Sequence, residues 1–238
     1  MTLVWAHRGA SKAAPENTLP AFERAAELGA DGVELDVQRT ADGELVVCHD
    51  EQIDRTSDGR GFIAEYCLDE LRGFDFANHM SGFGKLPIPT LADVLDLLKE
   101  TPLTVNIELK NSVVAYPGME SQVAELVHRC GWDDRVLYSS FNHRSMRAMA
   151  DRGYRAGLLY ETVMWKPQEY GVKLGAAALH PAGTAVRLNP HCVRKAHGRG
   201  LSVNVWTIDQ PEQIKALAHL EVDAIITNVP DVAVATLR

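Results

Sequence analysis

Gly32-Val33-Glu34-Leu35-Asp36-Val37 alternates apolar and acidic side chains with a period of two. As a strand it carries Val33, Leu35 and Val37 on one face and Glu34 and Asp36 on the other. Thr104-Val105-Asn106-Ile107-Glu108-Leu109-Lys110 repeats the arrangement, with Asn106, Glu108 and Lys110 opposite Val105, Ile107 and Leu109. In a barrel the outward face of each strand packs on helices, so the apolar set turns outward and the polar set looks into the interior.

The rest of the chain supplies the strands and helices of such a barrel. Strand candidates are Leu3 to Ala6, Gly32 to Val37, Leu45 to His49, Leu103 to Leu109, Arg135 to Ser139, Ala156 to Leu159, Ala176 to Leu179, Ser202 to Trp206 and Ala224 to Thr227. Helical period follows Thr18, a candidate cap with Pro20 in the first turn. It returns near Leu91 to Lys99, Ser121 to Cys130, His143 to Arg152, Pro190 to Arg199 and Pro211 to Leu220. About eight alternations predict an α/β chain folded as a (β/α)8 TIM barrel, with a doubly wound sheet as the alternative. Asp42-Gly43 marks a turn that pairs Leu45 to His49 with the preceding strand as a hairpin or an extension of it. Residues 51 to about 88 break the rhythm with Gly59, Gly61, Gly73, Gly82, Gly84, Pro87 and Pro89. They read as a small insertion after the second strand, a binding loop or lid on the face where the strands end. With no linker in view, 1–238 is expected to form a single domain.

At 238 residues and 46% hydrophobic, the chain can bury a sizeable core. A net charge of −8 excludes a nucleic-acid surface, which needs a basic stripe. The start of the chain shows no basic leader and no stretch has the roughly 20 apolar residues of a membrane span, so a cytoplasmic protein without stable membrane insertion is expected. Cys48, Cys67, Cys130 and Cys192 lack CxxC spacing and read as reduced thiols. Oligomeric state has no signature here.

Interior carboxylates are costly unless paired or bound to a cation. Glu34, Asp36 and Glu108, near the C-terminal ends of two strands, offer the oxygen ligands of a hard divalent ion, Mg²⁺ or Ca²⁺, in preference to zinc. Their competing partners are Arg8, Lys110 and Arg39. His7-Arg8-Gly9 ends the first strand and His49-Asp50 ends the hairpin strand, where alternation turns His49 toward the same cleft. Two histidines flanking a metal-bound phosphate can share general base and general acid roles, and either can be the base. His7, Arg8 and Lys110 can bring local positive charge to an anionic substrate. Phe141 and Trp206 stand at strand ends where they can line the pocket, and His180-Pro181 ends another strand near it. His79, His143, His191, His197 and His219 read as surface, cap or packing residues.

His7-Arg8-Gly9, Pro15-Glu16-Asn17-Thr18, Glu34-Leu35-Asp36, His49-Asp50, Asp54-Arg55-Thr56, Pro89-Thr90-Leu91, Glu108-Leu109-Lys110, Ser140-Phe141, Trp206-Thr207 and Thr227-Asn228, in this order, resemble the glycerophosphodiester phosphodiesterase family. The resemblance runs from residue 4 to about 231. It implies a TIM barrel with an insertion after the second strand, His7 and His49 as the acid/base pair, and Glu34, Asp36 and Glu108 as metal ligands. Arg8 and Lys110 would hold the phosphate, and Glu16 and Asn17 would shape the first loop and orient Arg8. The implied reaction splits a glycerophosphodiester, such as glycerophosphocholine or glycerophosphoethanolamine, into glycerol 3-phosphate and an alcohol. Asn228 occupies a position where such proteins carry Asp or Asn. A related reading is a lysophospholipase D-like hydrolase of lipid-sized diesters, which needs an apolar entrance such as Phe74, Phe76, Met80 and Phe83 could form. A non-catalytic glycerophosphodiester-binding barrel would have lost a ligand carboxylate or a histidine, and none is missing.

Overall fold

A computed structural model describes residues 1–77 and 80–238, so His79 lies outside the described residues. In chain order the elements are β1 (Leu3–His7), α1 (Leu19–Glu27), β2 (Gly32–Arg39), β3 (Leu45–Val47), α2 (Leu68–Leu71), α3 (Leu91–Leu98), β4 (Thr104–Leu109), α4 (Met119–Arg129) and β5 (Val136–Ser140). They continue as α5 (His143–Ala150), β6 (Ala156–Tyr160), α6 (Pro167–Lys173), β7 (Ala178–Pro181), α7 (Gly183–Leu188), α8 (His191–His197), β8 (Ser202–Val205), α9 (Pro211–His219), β9 (Ala224–Thr227) and α10 (Pro230–Leu237). The sheet runs β1-β9-β8-β7-β6-β5-β4-β2, and β1 pairs with β2 to close it. Every pairing in the ring is parallel, so the architecture is a TIM barrel. The doubly wound alternative would leave two open edges and is ruled out by that closure.

Strand alternation sorts the side chains as the two acidic strands require. Val33, Leu35, Val37, Val105, Ile107 and Leu109 are all fully buried in the layer between barrel and helices, beside Leu95 of α3 and Val123 of α4. The interior is filled at one end by Trp5, Leu137, Ala178, Ala224 and Ile226. Above that plug the polar residues begin, and register sets them in layers. His7 lies beside Glu34 and Glu34 beside Asn106, while Asp36 pairs with Glu108 one step nearer the C-terminal rim.

β3 pairs antiparallel with β2, Val37 opposite Val47, which makes the Asp42-Gly43 turn a hairpin. The segment that follows is an insertion whose regular pieces, among the described residues, are α2 and a 3₁₀ turn at Ile63–Glu65. It carries its own small core of Val46, Cys48, Ile53, Ile63, Leu71, Phe76 and Ile88, with Phe74 packed against it. Thr90 ends it by capping α3: its hydroxyl accepts from Asp93 N at 3.1 Å while the Asp93 carboxylate accepts from Thr90 N at 2.9 Å.

Thr18 precedes α1 but does not cap it through its side chain. Its hydroxyl donates to the Pro15 carbonyl at 2.6 Å, which ties down the loop before the helix instead. The strand expected from Ala176 begins at Ala178, because Ala176 N still donates to Gly171 O in closing the end of α6. Three helices carried no clear period in the sequence. α6 holds Gly171 at its centre, where Leu201 presses against it; α7 has only 6 residues; α10 is apolar on most sides. Among the described residues no helix is long and apolar enough to cross a membrane, and all four cysteines are free.

Candidate active site

Backbone conformation at the end of β1 aims the first group of side chains. Arg8 and Asn17 both lie in the left-handed region, with φ 57°, and Gly9 between them has φ 77°. Non-glycine residues there cost about 1–2 kcal/mol each, and such strain collects at functional sites. Here the turn points Arg8 N at the Glu34 carboxylate, 3.1 Å away, and brings Asn17 Nδ2 within 2.9 Å of Asp36. The Arg8 guanidinium reaches Glu16 at 2.8 Å and Asp36 at 3.4 Å, so Glu16 and Asn17 do orient this loop.

Glu34, Asp36 and Glu108 place one carboxylate oxygen each within 4.8 Å of the other two. That spread matches ligands on opposite sides of an ion with bonds of about 2.0–2.6 Å. Burial, with Asp36 and Glu108 alongside, raises Glu34 well above the usual carboxylate range, and burial and Asp36 also raise Glu108. Burial opposes ionisation of Asp36 too, but Arg8 and Lys110 outweigh it and hold that carboxyl at about 2. Asp36 Oδ1 and Asn106 Oδ1 are buried without a hydrogen bond. Lys110 Nζ lies 2.9 Å from Glu108 and 3.7 Å from Asp36. With all three ionised, three carboxylates against two cations would leave an excess of one negative charge in a buried space, which is why Glu34 and Glu108 hold their protons more tightly. A divalent cation relieves this, and the oxygen-only donor set fits a hard one. Arg39, the third competing cation, is outside the site: it donates to Pro117 O at 2.9 Å and lies over the Tyr116 ring.

His7 and His49 line one cleft with Arg8, Glu34, Asn106 and Glu108. His7 Nδ1 contacts Asn228 Oδ1 at 2.7 Å, and its Nε2 lies 3.9 Å from Glu34. Asn228 is held in turn by Asp209, whose carboxylate accepts from Asn228 Nδ2 at 2.8 Å and from Asn228 N at 2.9 Å. Because a carboxylate only accepts, the amide must face it with nitrogen and face His7 with oxygen. His7 therefore carries its proton on Nδ1 and presents the Nε2 lone pair to the carboxylate cluster. Burial, then the Arg8 charge, lowers His7 to about 4 and keeps the ring neutral near pH 7. On the other side His49 Nδ1 meets Asp50 Oδ1 at 2.5 Å, and Arg55 clamps Asp50 at 2.7 Å and Glu16 at 2.7 Å. The hydrogen bond from His49, then Arg55, holds the Asp50 carboxyl below its usual range. Arg55 thus joins the insertion to the loops carrying both histidines.

Phe141 and Trp206 also line the cleft, edge to face with ring centroids 5.6 Å apart. The indole N–H of Trp206 donates to His180 O at 2.8 Å. His180 itself is inside the barrel, wholly buried against Gly157, with Asn204 Nδ2 at 3.0 Å from its Nε2; burial lowers it to about 3. His143 opens α5 with its ring between Tyr170 and Leu159 O, while His197 meets Asp223 and His219 meets Lys215 O on outer helices. Phe74 and Phe76 pack within the insertion rather than at the cleft. Sequence reasoning assigned no role to Asp50, Arg55, Asn106 or Asp209. Asp50 and Arg55 sit inside quoted motifs, and Asn106 shares the polar face of β4, so a signal existed for these three. Asp209, alone in a loop, had none.

The chain matches the Glycerophosphoryl diester phosphodiesterase family over residues 7–232. It is 40% identical to a glycerophosphodiester phosphodiesterase of Caldanaerobacter subterraneus subsp. tengcongensis, covering 100% of this chain and 98% of that one. It is 37% identical to a glycerophosphodiester phosphodiesterase of Bacillus altitudinis, covering 98% and 97%. The structure of an Oleispira antarctica phosphodiesterase in complex with the product sn-glycerol-3-phosphate superposes with a TM-score of 0.90 at 27% identity, covering 100% of this chain and 97% of that one.

Proposed function

The chain belongs to the glycerophosphoryl diester phosphodiesterase family, and on that premise we propose that it hydrolyses glycerophosphodiesters to glycerol 3-phosphate and an alcohol in a metal-dependent reaction. The observation that carries this reading is the convergence of three buried carboxylates, two cations and two oriented histidines on one cleft. Arg8 and Lys110 receive the phosphate, exchanging part of their contact with Asp36 and Glu108 for its oxygens. Glu34, Asp36 and Glu108 would hold Mg²⁺ or Ca²⁺, which would supply charge to offset that developing on the phosphate. Neutral His7 accepts a proton at Nε2 from the attacking hydroxyl, supplied by water or by the substrate's own glycerol. His49, steadied by Asp50, returns a proton to the departing alkoxide. Phe141 and Trp206 flank the carbon skeleton. The reaction is assigned to the cytoplasm, in keeping with four free cysteines.

Purified protein is expected to release glycerol 3-phosphate from glycerophosphocholine, to stop in EDTA and to recover with Mg²⁺ or Ca²⁺. Undiminished turnover in EDTA would overturn the metal assignment, and no release from any glycerophosphodiester would overturn the activity. A lysophospholipid assayed alongside distinguishes a lipid-sized substrate. His7→Ala and His49→Ala are each expected to lower turnover by about 10²- to 10⁴-fold with an unchanged circular dichroism spectrum; near-normal rates in both would refute the acid/base pair.

A further inference from the structure

The cleft between the histidines measures only ≈ 90 Å³, but a second cavity of ≈ 640 Å³ adjoins it, and Glu161 and Trp206 line both. Pockets that enclose a whole small ligand run to about 300–1,000 Å³, so the cleft suits the phosphate and its immediate neighbours while the second cavity has room for a further group. Its walls come from the ends of β7 and β8 and from the helices that follow, with Ala182, Ile208 and Leu217 apolar.

Glu161 directly follows β6 and is exposed, and no hydrogen bond or ion pair joins it to another described residue. The carboxylates deep in the cleft are committed to Arg8, Lys110 and the metal position, so Glu161 is the unpaired negative charge at the junction. The Trp206 indole lines both cavities with it, locked by its bond to His180 O and by the edge-to-face contact with Phe141. A carboxylate next to an aromatic wall attracts an ammonium group through charge and through the ring quadrupole. Arg187, the other charged residue of the second cavity, does not line the cleft, so an ammonium close to the ester oxygen meets Glu161 first.

We propose that the second cavity receives the leaving alcohol and that Glu161 selects alcohols bearing an ammonium group. This rests on the phosphodiesterase reading and adds a specificity to it. The test compares kcat/KM for glycerophosphocholine and glycerophosphoethanolamine with that for glycerophosphoglycerol and glycerophosphoinositol, in the wild type, Glu161→Gln and Glu161→Lys. The wild type is expected to favour the two ammonium diesters; Glu161→Gln to lower that preference by about tenfold; and Glu161→Lys to reverse it. Free choline should inhibit the wild type competitively, with a weaker hold on Glu161→Gln. An unchanged preference in both variants, or an equal loss on all four diesters, overturns the role of Glu161 while leaving the phosphodiesterase reading intact. Failure of the wild type on all four overturns that reading and this one with it.

Discussion

Asn228 can turn either its carbonyl oxygen or its amide nitrogen toward His7, and the two choices place the imidazole proton on different nitrogens. Asp209 removes the choice by accepting from both the side-chain and main-chain nitrogens of Asn228. With Nδ1 committed to Asn228, the His7 lone pair faces the site before any substrate arrives, so no reorientation is needed during proton transfer. Asn228→Leu is therefore expected to lower kcat by about 10- to 100-fold, the scale on which partners that orient site residues act. Asn228→Asp retains an acceptor for Nδ1 but faces Asp209 with a second carboxylate, so most of the rate should return when Asp209→Asn accompanies it; equal losses in Asn228→Leu and in that double variant would show that Asn228 does not act by orienting His7. Arg55 supports His49 in a parallel way, by holding Asp50 against it. Both histidines were legible as strand-ending residues, and Asp50 stands next to His49 in a quoted motif, whereas the contact of His7 with Asn228 and the hold of Asp209 on Asn228 join residues far apart in the chain and were not legible.

The turn after β1 is the element on which the site depends most directly. Gly9 adopts φ 77°, and a Cβ there would lie 2.6 Å from the Ala21 carbonyl carbon. Backbone angle and close approach both demand glycine. Gly9→Ala is expected to destabilise the protein by about 1–3 kcal/mol in urea unfolding and to reduce activity, since α1 must shift and carry the Arg8 loop with it. Unaltered stability would show that this turn has slack. The acidic strands behaved as their alternation requires: Leu35 and Ile107 pack outward, fully buried, while Asp36 and Glu108 meet inside. Leu35→Ala should cost about 2–5 kcal/mol by leaving a cavity under the helices, measured by the same unfolding curve; a loss below 1 kcal/mol would mean that this layer collapses to fill the space. Elements without a strong period were the ones missed. α6, α7 and α10 are held as helices by packing on the barrel, with Gly171, Val186 and Ala233 buried there.

Over the whole molecule, the barrel interior joins an apolar plug to a charged rim, and His180 sits in the passage between them. Burial lowers it to about 3 from an ordinary 6.5, so the folded protein holds it neutral while the unfolded chain takes up a proton near 6.5. Its contribution to stability is complete above pH 6.5 and is lost as pH falls from there toward 3. The urea midpoint should fall less steeply with acid in His180→Asn than in the wild type; identical slopes would show that His180 is protonated in the folded state. Apolar and polar periodicity along the chain determined the barrel, its hairpin and the faces of Glu34, Asp36 and Glu108, because backbone geometry alone assigns alternate residues to opposite sides of a strand. The order of the quoted motifs pointed to the family. Tertiary structure alone decided that His7 and His49 share one cleft with those carboxylates, that Asp209 sets the tautomer of His7, and that a second cavity opens beside Glu161. Those facts depend on which loops a closed ring of parallel strands brings to one rim, and no local pattern in the chain encodes distances between loops so far apart in sequence.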